Sequence, residues 1–532
     1  MQKKGIISIL ERLWLVTMVC WCMSSCSMVW SDEEDMMTQC PKGVRQTVTL
    51  NLTITHPDAG INTRAESDYE LSFTKDEAAV KKLTVFIVDL NSDGSENYDK
   101  VEHYSTELDP IDFYNGIYVF QHTLEVETGS KHLYIGANLR QEHIDAFLNN
   151  KPIALDGEGP AVNMVMTPDP THSGKGTDIA MFGQIKMRSG SAEIVISQGM
   201  TDYYLSGDLE RLTAKVLLTC DEGEPGLVRT GGKGWVETDK IRYTLNATNK
   251  YSFIKRVKDV AYDVNIDPNW ALSPWIVQEN GIYIPSQTHS QQFEYWDGED
   301  IMTRIFDDRY STTPLKFDEK RVGVGNSLSE NHYVEGLYCL ENTAYNDMGL
   351  SGDALDNAAR VATTHMIIVV RFIPRVFVGG WNDNTESGTL ERALTELFIP
   401  NNGNTINGSG THSTGTYWTR TVNGQTIYYA WTGVQRKIEQ EGLKESDFTC
   451  YEGGYSYFST FIDGTTDGLK LTYNGHDSWG VQRDHYYILT VDQISRPGSP
   501  IPDWDDYIRI NSQTVDWVYR GSQDVIIRPT GN

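Results

Sequence analysis

Long apolar runs are missing from most of this chain. Beyond the first 25 residues, nothing approaches the ~18 continuous apolar residues of a membrane-spanning helix, so no such helix is expected in the body. Cysteine is scarce. Of seven, Cys20 and Cys22 fall in the leading apolar segment, Cys26 follows directly, and Cys40 lies before Arg64. Cys220, Cys339 and Cys450 remain, widely spaced and odd in number, which argues against a disulfide framework and for buried small hydrophobes. Basic charge is also short, with 45 Lys+Arg against 73 Asp+Glu and a formal net charge of −28. Nucleic acid and anionic membrane surfaces are therefore poor partners.

Signatures of chemistry are lacking too. There is no CxxC or Cys/His metal spacing, HExxH, GxSxG elbow, phosphate loop or dinucleotide fingerprint, and the histidines are dispersed. DLNSDG (89–94) places Asp89, Asn91, Asp93 and Gly94 as a calcium loop does. However, Lys100 stands where the loop needs Glu, and a strand precedes it, so a turn is expected. Nothing singles out two of the many acids as a glycosidase pair. The reading is of a non-enzyme with no metal and no cofactor.

Turn residues and aromatics are plentiful: 46 Gly, 28 Tyr and 13 Trp suit a turn-rich β protein. The N-terminus has the parts of an export signal: Lys3 and Lys4, then LWLVTMVCWCM (13–23), then SSC ending at Cys26. Small residues directly before a cysteine look like a bacterial lipoprotein cleavage box, which would make Cys26 the lipid-bearing residue. The alternative is an ordinary signal cleaved near Ser25. Acidic SDEED (31–35) follows, a solvated tether that also resembles a surface-export tag of Bacteroidetes lipoproteins.

Short strands punctuated by turns then fill the chain. KKLTVFIVDL (81–90), GIYVFQHTLEVETG (116–129), KHLYIGANL (131–139), VNMVMT (162–167), AMFGQIKM (180–187), AEIVIS (192–197) and LERLTAKVLLTC (209–220) form one series. Only EHIDAFLNN (142–150) has helical spacing within it, through Ile144, Phe147 and Leu148. So many strands in ~150 residues predict a β-sandwich. EGEPGLVRTGGKGW (222–235) reads as a connector. A second β-rich region follows, with strands in KIRYTLNATNKYSF (240–253), THMIIVVRFIP (364–374), TIYYAWTG (426–433), GYSYFSTFI (454–462) and HYYILTVDQI (485–494). LERALTELF (390–398) predicts a short helix, and 267–350 is aromatic-rich and loop-like.

Two segments stand apart. VTLNLTIT (47–54) alternates Val48, Leu50, Leu52 and Ile54 on one face with polar residues on the other, the pattern of a strand with one dry side. Near the C-terminus, VDWVYRGSQDVII (515–527) keeps one register, with Val515, Trp517, Tyr519, Val525 and Ile527 on its largely apolar face. Thirteen extended residues reach about 40 Å, the length of a whole sandwich.

Several of these segments together resemble the fimbrillins of Bacteroidales, the pilins of protease-assembled (type V) pili. They are most like the stalk subunits of the minor (short) fimbriae of Porphyromonas. The resemblance rests on VKKLTVFIVD, TGSKHLYIGAN, AMFGQ and LERLTAKV in the first half. In the second half it rests on YCLEN (338–342), ATTHMIIVVRFIP, YEGGYSYFSTFI and WGVQRDHYYILTVDQISRPGSP (479–500). It covers most of 40–532, with 267–335 and 375–425 least matched. Where the family often has Arg-Asn before the aromatic strand, this chain has Arg483-Asp484.

The resemblance implies an all-β fold of two tandem transthyretin-like β-sandwiches with a C-terminal donor arm. Its segments would be a signal (1–25), a propeptide (26–64), sandwiches at 65–222 and 223–506, and the arm at 507–532. Cys26 would be acylated, anchoring the precursor to the outer membrane. An arginine-specific protease would cut between Arg64 and Ala65 and release the strand holding Val48, Leu50, Leu52 and Ile54. The arm of a neighbouring identical subunit would then fill the slot, with tip and anchor pilins as further partners. The implied role is a cell-surface fimbria supporting adhesion and biofilm formation. Burying those four apolar side chains is worth about 6–12 kcal/mol gross. While tethered, the resident strand has the higher effective concentration, so the cut at Arg64 acts as a timing device. The segments 1–26 and 27–64 carry equal and opposite formal charge, so the trimmed subunit would keep −28. The alternatives are a surface glycan-binding lipoprotein, a tip adhesin of the same pilus with adhesive loops in 267–350, and a sandwich-fold hydrolase. A binding module needs neither a detachable strand nor a one-register tail.

Overall fold

The computed structural model describes residues 43–55, 77, 79–108, 117–154, 160–169, 172–220, 222–256, 276–279, 282–285, 293–294, 296, 298–316, 336–342, 363–380, 386–397, 412–462, 471–473, 476–478, 481–502 and 512–516. Among them, strands dominate and helices are short. No helix there is long and apolar enough to cross a membrane.

The first sheet is built from β1 (Arg45–Thr55), β2 (Lys82–Leu90), β3 (Glu96–Glu107), β4 (Ile117–Glu127), β5 (Gly129–Ala137), β6 (Met181–Met187), β7 (Glu193–Ile196) and β8 (Asp202–Asp208). Its order is β3-β2-β5-β6-β8-β1-β4, with β7 added to β5 and the short strand Glu210–Arg211 added to β6. The sheet folds over on itself, so that Val48, Leu50, Leu52 and Ile54 pack in one core with Leu83, Val85, Ile87, Leu133 and Ile135. Its two ends come together: the Tyr104 hydroxyl on β3 donates to the Glu125 carbonyl on β4 at 3.0 Å. The predicted turn after β2 is present, with the Gly94 amide donating to the Asn91 carbonyl at 3.0 Å and Gly94 at φ +82°.

The second half holds two further sheets. One joins β9 (Thr213–Cys220), β11 (Leu337–Leu340), β14 (His485–Val491) and β15 (Ser512–Asp516); the other joins β10 (Arg242–Asn246), β12 (His365–Pro374) and β13 (Tyr455–Phe461). Val216 and Leu218 of β9 and Leu489 of β14 face Ile368, Val370 and Phe372 of β12 across a shared core. A third apolar cluster lies at the junction, where Phe86, Tyr134, Phe147 and Phe182 of the first half meet Leu217, Ile254, Tyr338 and Tyr486 of the second.

Four expectations need correction. Only the start of LERLTAKVLLTC joins the first sheet, through Leu209 and Glu210–Arg211, because β9, from Thr213 on, pairs with β14, β11 and Leu315–Lys316. From Thr213 the chain's strand pairing therefore passes to strands of the second half. β9 is buried on both faces, so its sequence gave no alternation to say which body it joined. VNMVMT is mainly a 3-10 turn, Ala161–Met164. Side chains take its carbonyls: Arg140 donates to Asn163 O at 3.1 Å and Met166 O at 2.6 Å, and the His143 ring meets Met164 O at 2.6 Å. TIYYAWTG stops being a strand at Tyr429, and a helix, Trp431–Glu441, follows and ends on left-handed Gly442. The 222–235 connector contains a hairpin and the strand Gly234–Val236, which pairs with β12. The helices expected near 142–150 and 390–398 are present as Gln141–Leu148 and Leu390–Glu396.

Candidate functional site

β1 is an interior strand. It runs antiparallel to β4 along its full length, from Arg45 opposite Glu127 to Thr55 opposite Ile117. On the other side it runs parallel to β8, from Thr49 opposite Asp202 to Thr55 opposite Asp208. The burial pattern alternates as the sequence predicts, and Val48, Leu50, Leu52 and Ile54 are each no more than 1% exposed. These side chains form part of the floor of the first core.

Polar contacts line the open face and both ends of this strand. The Gln46 amide group donates to Ser197 O at 2.7 Å and accepts from the Gly199 amide at 2.9 Å. Arg45 meets Glu102 at 2.8 Å, and the Thr49 and Thr123 hydroxyls lie 3.1 Å apart. At the far end, the Leu209 amide donates to Thr55 O at 2.9 Å.

Withdrawing β1 would orphan the facing edges of β4 and β8 and open a trough floored by apolar side chains. Unpaired edges of that kind recruit another strand. Because β4 and β8 run in opposite directions, an incoming strand would have one parallel and one antiparallel neighbour whichever way it entered. The walls of such a trough would accept either polarity, and the choice between them would fall to the side chains of the incoming strand.

β1 and β4 are legible in the sequence; β8, the other wall, is not. DYYLSGD carries only a short alternation, with Tyr203 and Leu205 buried and Tyr204 exposed between them. Of the expected donor residues, Val515 lies in β15, opposite Tyr486 of the same chain. Trp517, Tyr519, Val525 and Ile527 lie outside the described residues, as do Cys26, Arg64 and Ala65.

The motifs that carried the resemblance converge as framework. Arg483 donates to the Glu341 carboxylate at 3.1 Å and to the carbonyls of Phe253 at 2.8 Å and Ile254 at 3.2 Å. Burial pushes the Glu341 carboxyl up, but Arg483 and Arg256 outweigh it and hold the pKa below the usual range. Asn342 of YCLEN donates to Ala247 O at 3.0 Å and to the Thr364 hydroxyl at 3.1 Å. Glu96 gathers Lys255, Tyr98, Tyr134 and His132, joining β3 to the second half. There burial raises the carboxyl, and those donors together bring it down to about 2.

Residues 47–210 match the family model described as major fimbrial subunit protein (FimA). The match begins inside β1 and ends at the last strand of the first sheet. No curated protein matches the chain. Among solved structures, a fimbrilin (fimA) from Porphyromonas gingivalis is 13% identical, covering 89% of this chain and 99% of its own, at a TM-score of 0.39. The tip fimbrial protein Mfa3 from Porphyromonas gingivalis is 12% identical, covering 89% of this chain and 100% of its own, at a TM-score of 0.33. A fimbrial assembly protein from Parabacteroides distasonis is 12% identical, covering 48% of this chain and 91% of its own, at a TM-score of 0.23. The segment 47–210, which carries β1 and the first sheet, is thus similar to the major fimbrial subunit family.

Proposed function

We propose that this chain is a structural subunit of a cell-surface fimbria, exported as a lipoprotein precursor and polymerised by strand exchange. In this reading Cys26 carries the lipid, cleavage after Arg64 releases β1, and the expected donor segment 515–527 of a sister molecule enters the vacated slot through its part beyond Asp516, since Val515 and Asp516 pair within their own chain. The interior position of β1 carries the proposal, since its loss opens two strand edges and an apolar floor at once. Main-chain hydrogen bonds would hold the incoming strand, and its alternate side chains would fill the floor. A glycan-binding module has no use for such a removable interior strand.

The test treats the purified chain with an arginine-specific protease, sequences the new N-terminus and runs the product unheated on denaturing gels. Ala65 as the new start and a ladder of multimers are expected. Ladders that persist in a chain lacking 515–532 would overturn the donor role, and a monomer that keeps 47–54 bound after cutting would overturn the slot.

A further inference from the structure

A group of side chains far from the slot has the makings of a metal site. The strands Tyr417–Val422, Gln425–Tyr429 and Thr449–Tyr451 form a small sheet, with Trp418 opposite Cys450. Trp418, Tyr429, Val434 and Phe448 pack together against it. Cys450 lies in the last strand, Glu452 just past it, and His412 just before the first. One ligand atom from each of the three lies within 4.8 Å of the others.

Two of the three are already held in place. Glu452 Oε1 accepts the Ser413 amide at 2.5 Å, and Glu452 Oε2 is in hydrogen-bond contact with His412 Nδ1. The His412 ring stands edge-on to Trp418, with centroids 5.3 Å apart. Imidazole nitrogen, thiolate sulfur and carboxylate oxygen together are the donor set of a borderline-soft dication. His412 Nδ1 and Glu452 Oε2 face each other at a point where a dication would satisfy both groups. A tetrahedral zinc site has ligand atoms about 3.3–3.8 Å apart, so the widest separation must close by about 1 Å. Glu452 is half exposed and can swing to close it.

We propose that His412, Cys450 and Glu452 bind one divalent transition-metal ion of the zinc type, with water as the fourth ligand. On binding, Cys450 loses its S–H proton to solvent and bonds the ion as thiolate, while the neutral His412 ring keeps its one proton on Nε2 and offers Nδ1 to the ion. The ion must displace the thiol proton to bond the sulfur, so affinity should rise with pH. The ion would staple the segment entering the small sheet to its last strand. No sequence spacing announces the site, because His412 comes from a distant part of the chain.

The test uses the full chain under a thiol-preserving reductant, titrated with Zn2+ by calorimetry and with Co2+ by absorption. One Zn2+ per chain is expected, with a thiolate-to-cobalt band that disappears in Cys450→Ser. Glu452→Gln keeps the shape of a half-exposed side chain while removing its charge, and should weaken Zn2+ binding by more than about tenfold. Absence of Zn2+ binding overturns the proposal. So does binding of unchanged strength in both His412→Ala and Glu452→Gln, which would place the ion on other side chains. If Cys450→Ser fails to fold, the Glu452→Gln and His412→Ala titrations decide the matter.

Discussion

Lys215 and Glu77 form an ion pair 2.8 Å long, with Lys215 fully buried and Glu77 1% exposed. The ammonium also lies over the rings of Tyr338 and Tyr486, at 5.4 and 5.6 Å. Lys215 belongs to β9 and Glu77 precedes β2, so the pair ties the chain just behind Arg64 to the junction of the two halves. Removing one partner leaves an uncompensated buried charge, which costs about 3–5 kcal/mol. Glu77→Ala should therefore lower stability by that amount in urea unfolding, and Glu77→Leu with Lys215→Met should recover most of it. An unchanged midpoint for Glu77→Ala would show that the pair contributes nothing.

Asp484 explains the departure from Arg-Asn. Its φ is +62°, in the left-handed region that Asn and Asp tolerate best after Gly. Asp therefore keeps the turn, and its carboxylate also sits 3.4 Å from the guanidinium of fully buried Arg211. Asp484→Asn should preserve the backbone while weakening that charge-assisted contact, at a cost of about 1–3 kcal/mol. Asp484→Val should cost more, because a β-branched residue strains the same φ. Equal unfolding midpoints for the two variants would refute this account.

Leu52 offers a test that separates precursor from product. It is fully buried in the first core, so Leu52→Ala should destabilise the uncut chain by about 2–5 kcal/mol through lost contacts and a cavity. If β1 leaves on cleavage, the trimmed protein carries no trace of the substitution. Thermal unfolding before and after proteolysis reads both states, and a deficit surviving the cut would mean that β1 stays.

The strands legible in the sequence were those with one wet face or a strong apolar run. β1 and β4 alternate cleanly, and β12 is a long β-branched run ending at Pro374. Three kinds of element escaped. β3 was missed because ENYDKVEHYSTE shows no apolar face, its burial being intermediate to exposed throughout. β9 was seen as a strand but assigned to the wrong body, since a strand buried on both sides carries no directional pattern. The helix Trp431–Glu441 was read as the tail of an aromatic strand, although Val434 and Ile438 already stood four apart. At the slot, the resident strand could be read locally. That it lies between β4 and β8 depends on pairings distant in sequence, which no local pattern encodes.

Acid should weaken the fold before the carboxylates titrate. His365 is fully buried, and burial, partly opposed by its hydrogen bond to Thr363 O, pushes its pKa down from 6.5 to about 4. Between those values the unfolded chain binds a proton that the folded chain refuses, so stability rises with pH across the interval. The contribution is fully present above about pH 6.5 and is lost as pH falls towards 4, by about 3 kcal/mol at most. His365→Gln should flatten this limb of a stability-against-pH curve. A wild-type slope in that variant would assign the acid sensitivity elsewhere.

The root of the C-terminal arm is paired within its own chain, and that divides the arm into two testable parts. β15 runs antiparallel to β14, from Ser512 opposite Leu489 to Asp516 opposite His485. It ends the sheet beyond β14. Truncation after Asp516 leaves this ladder intact, whereas truncation before Ser512 strips β14 of its neighbour and exposes a backbone edge. Each lost backbone hydrogen bond is worth about 0.5–1.5 kcal/mol net. The shorter chain should therefore unfold earlier and associate nonspecifically, and the longer one should match the full chain in stability. Both should fail to form ladders after cleavage at Arg64, because both lack residues 517–527. Ladder formation by the chain ending at Asp516 would place the donor outside the tail, even with β15 confirmed as part of the fold.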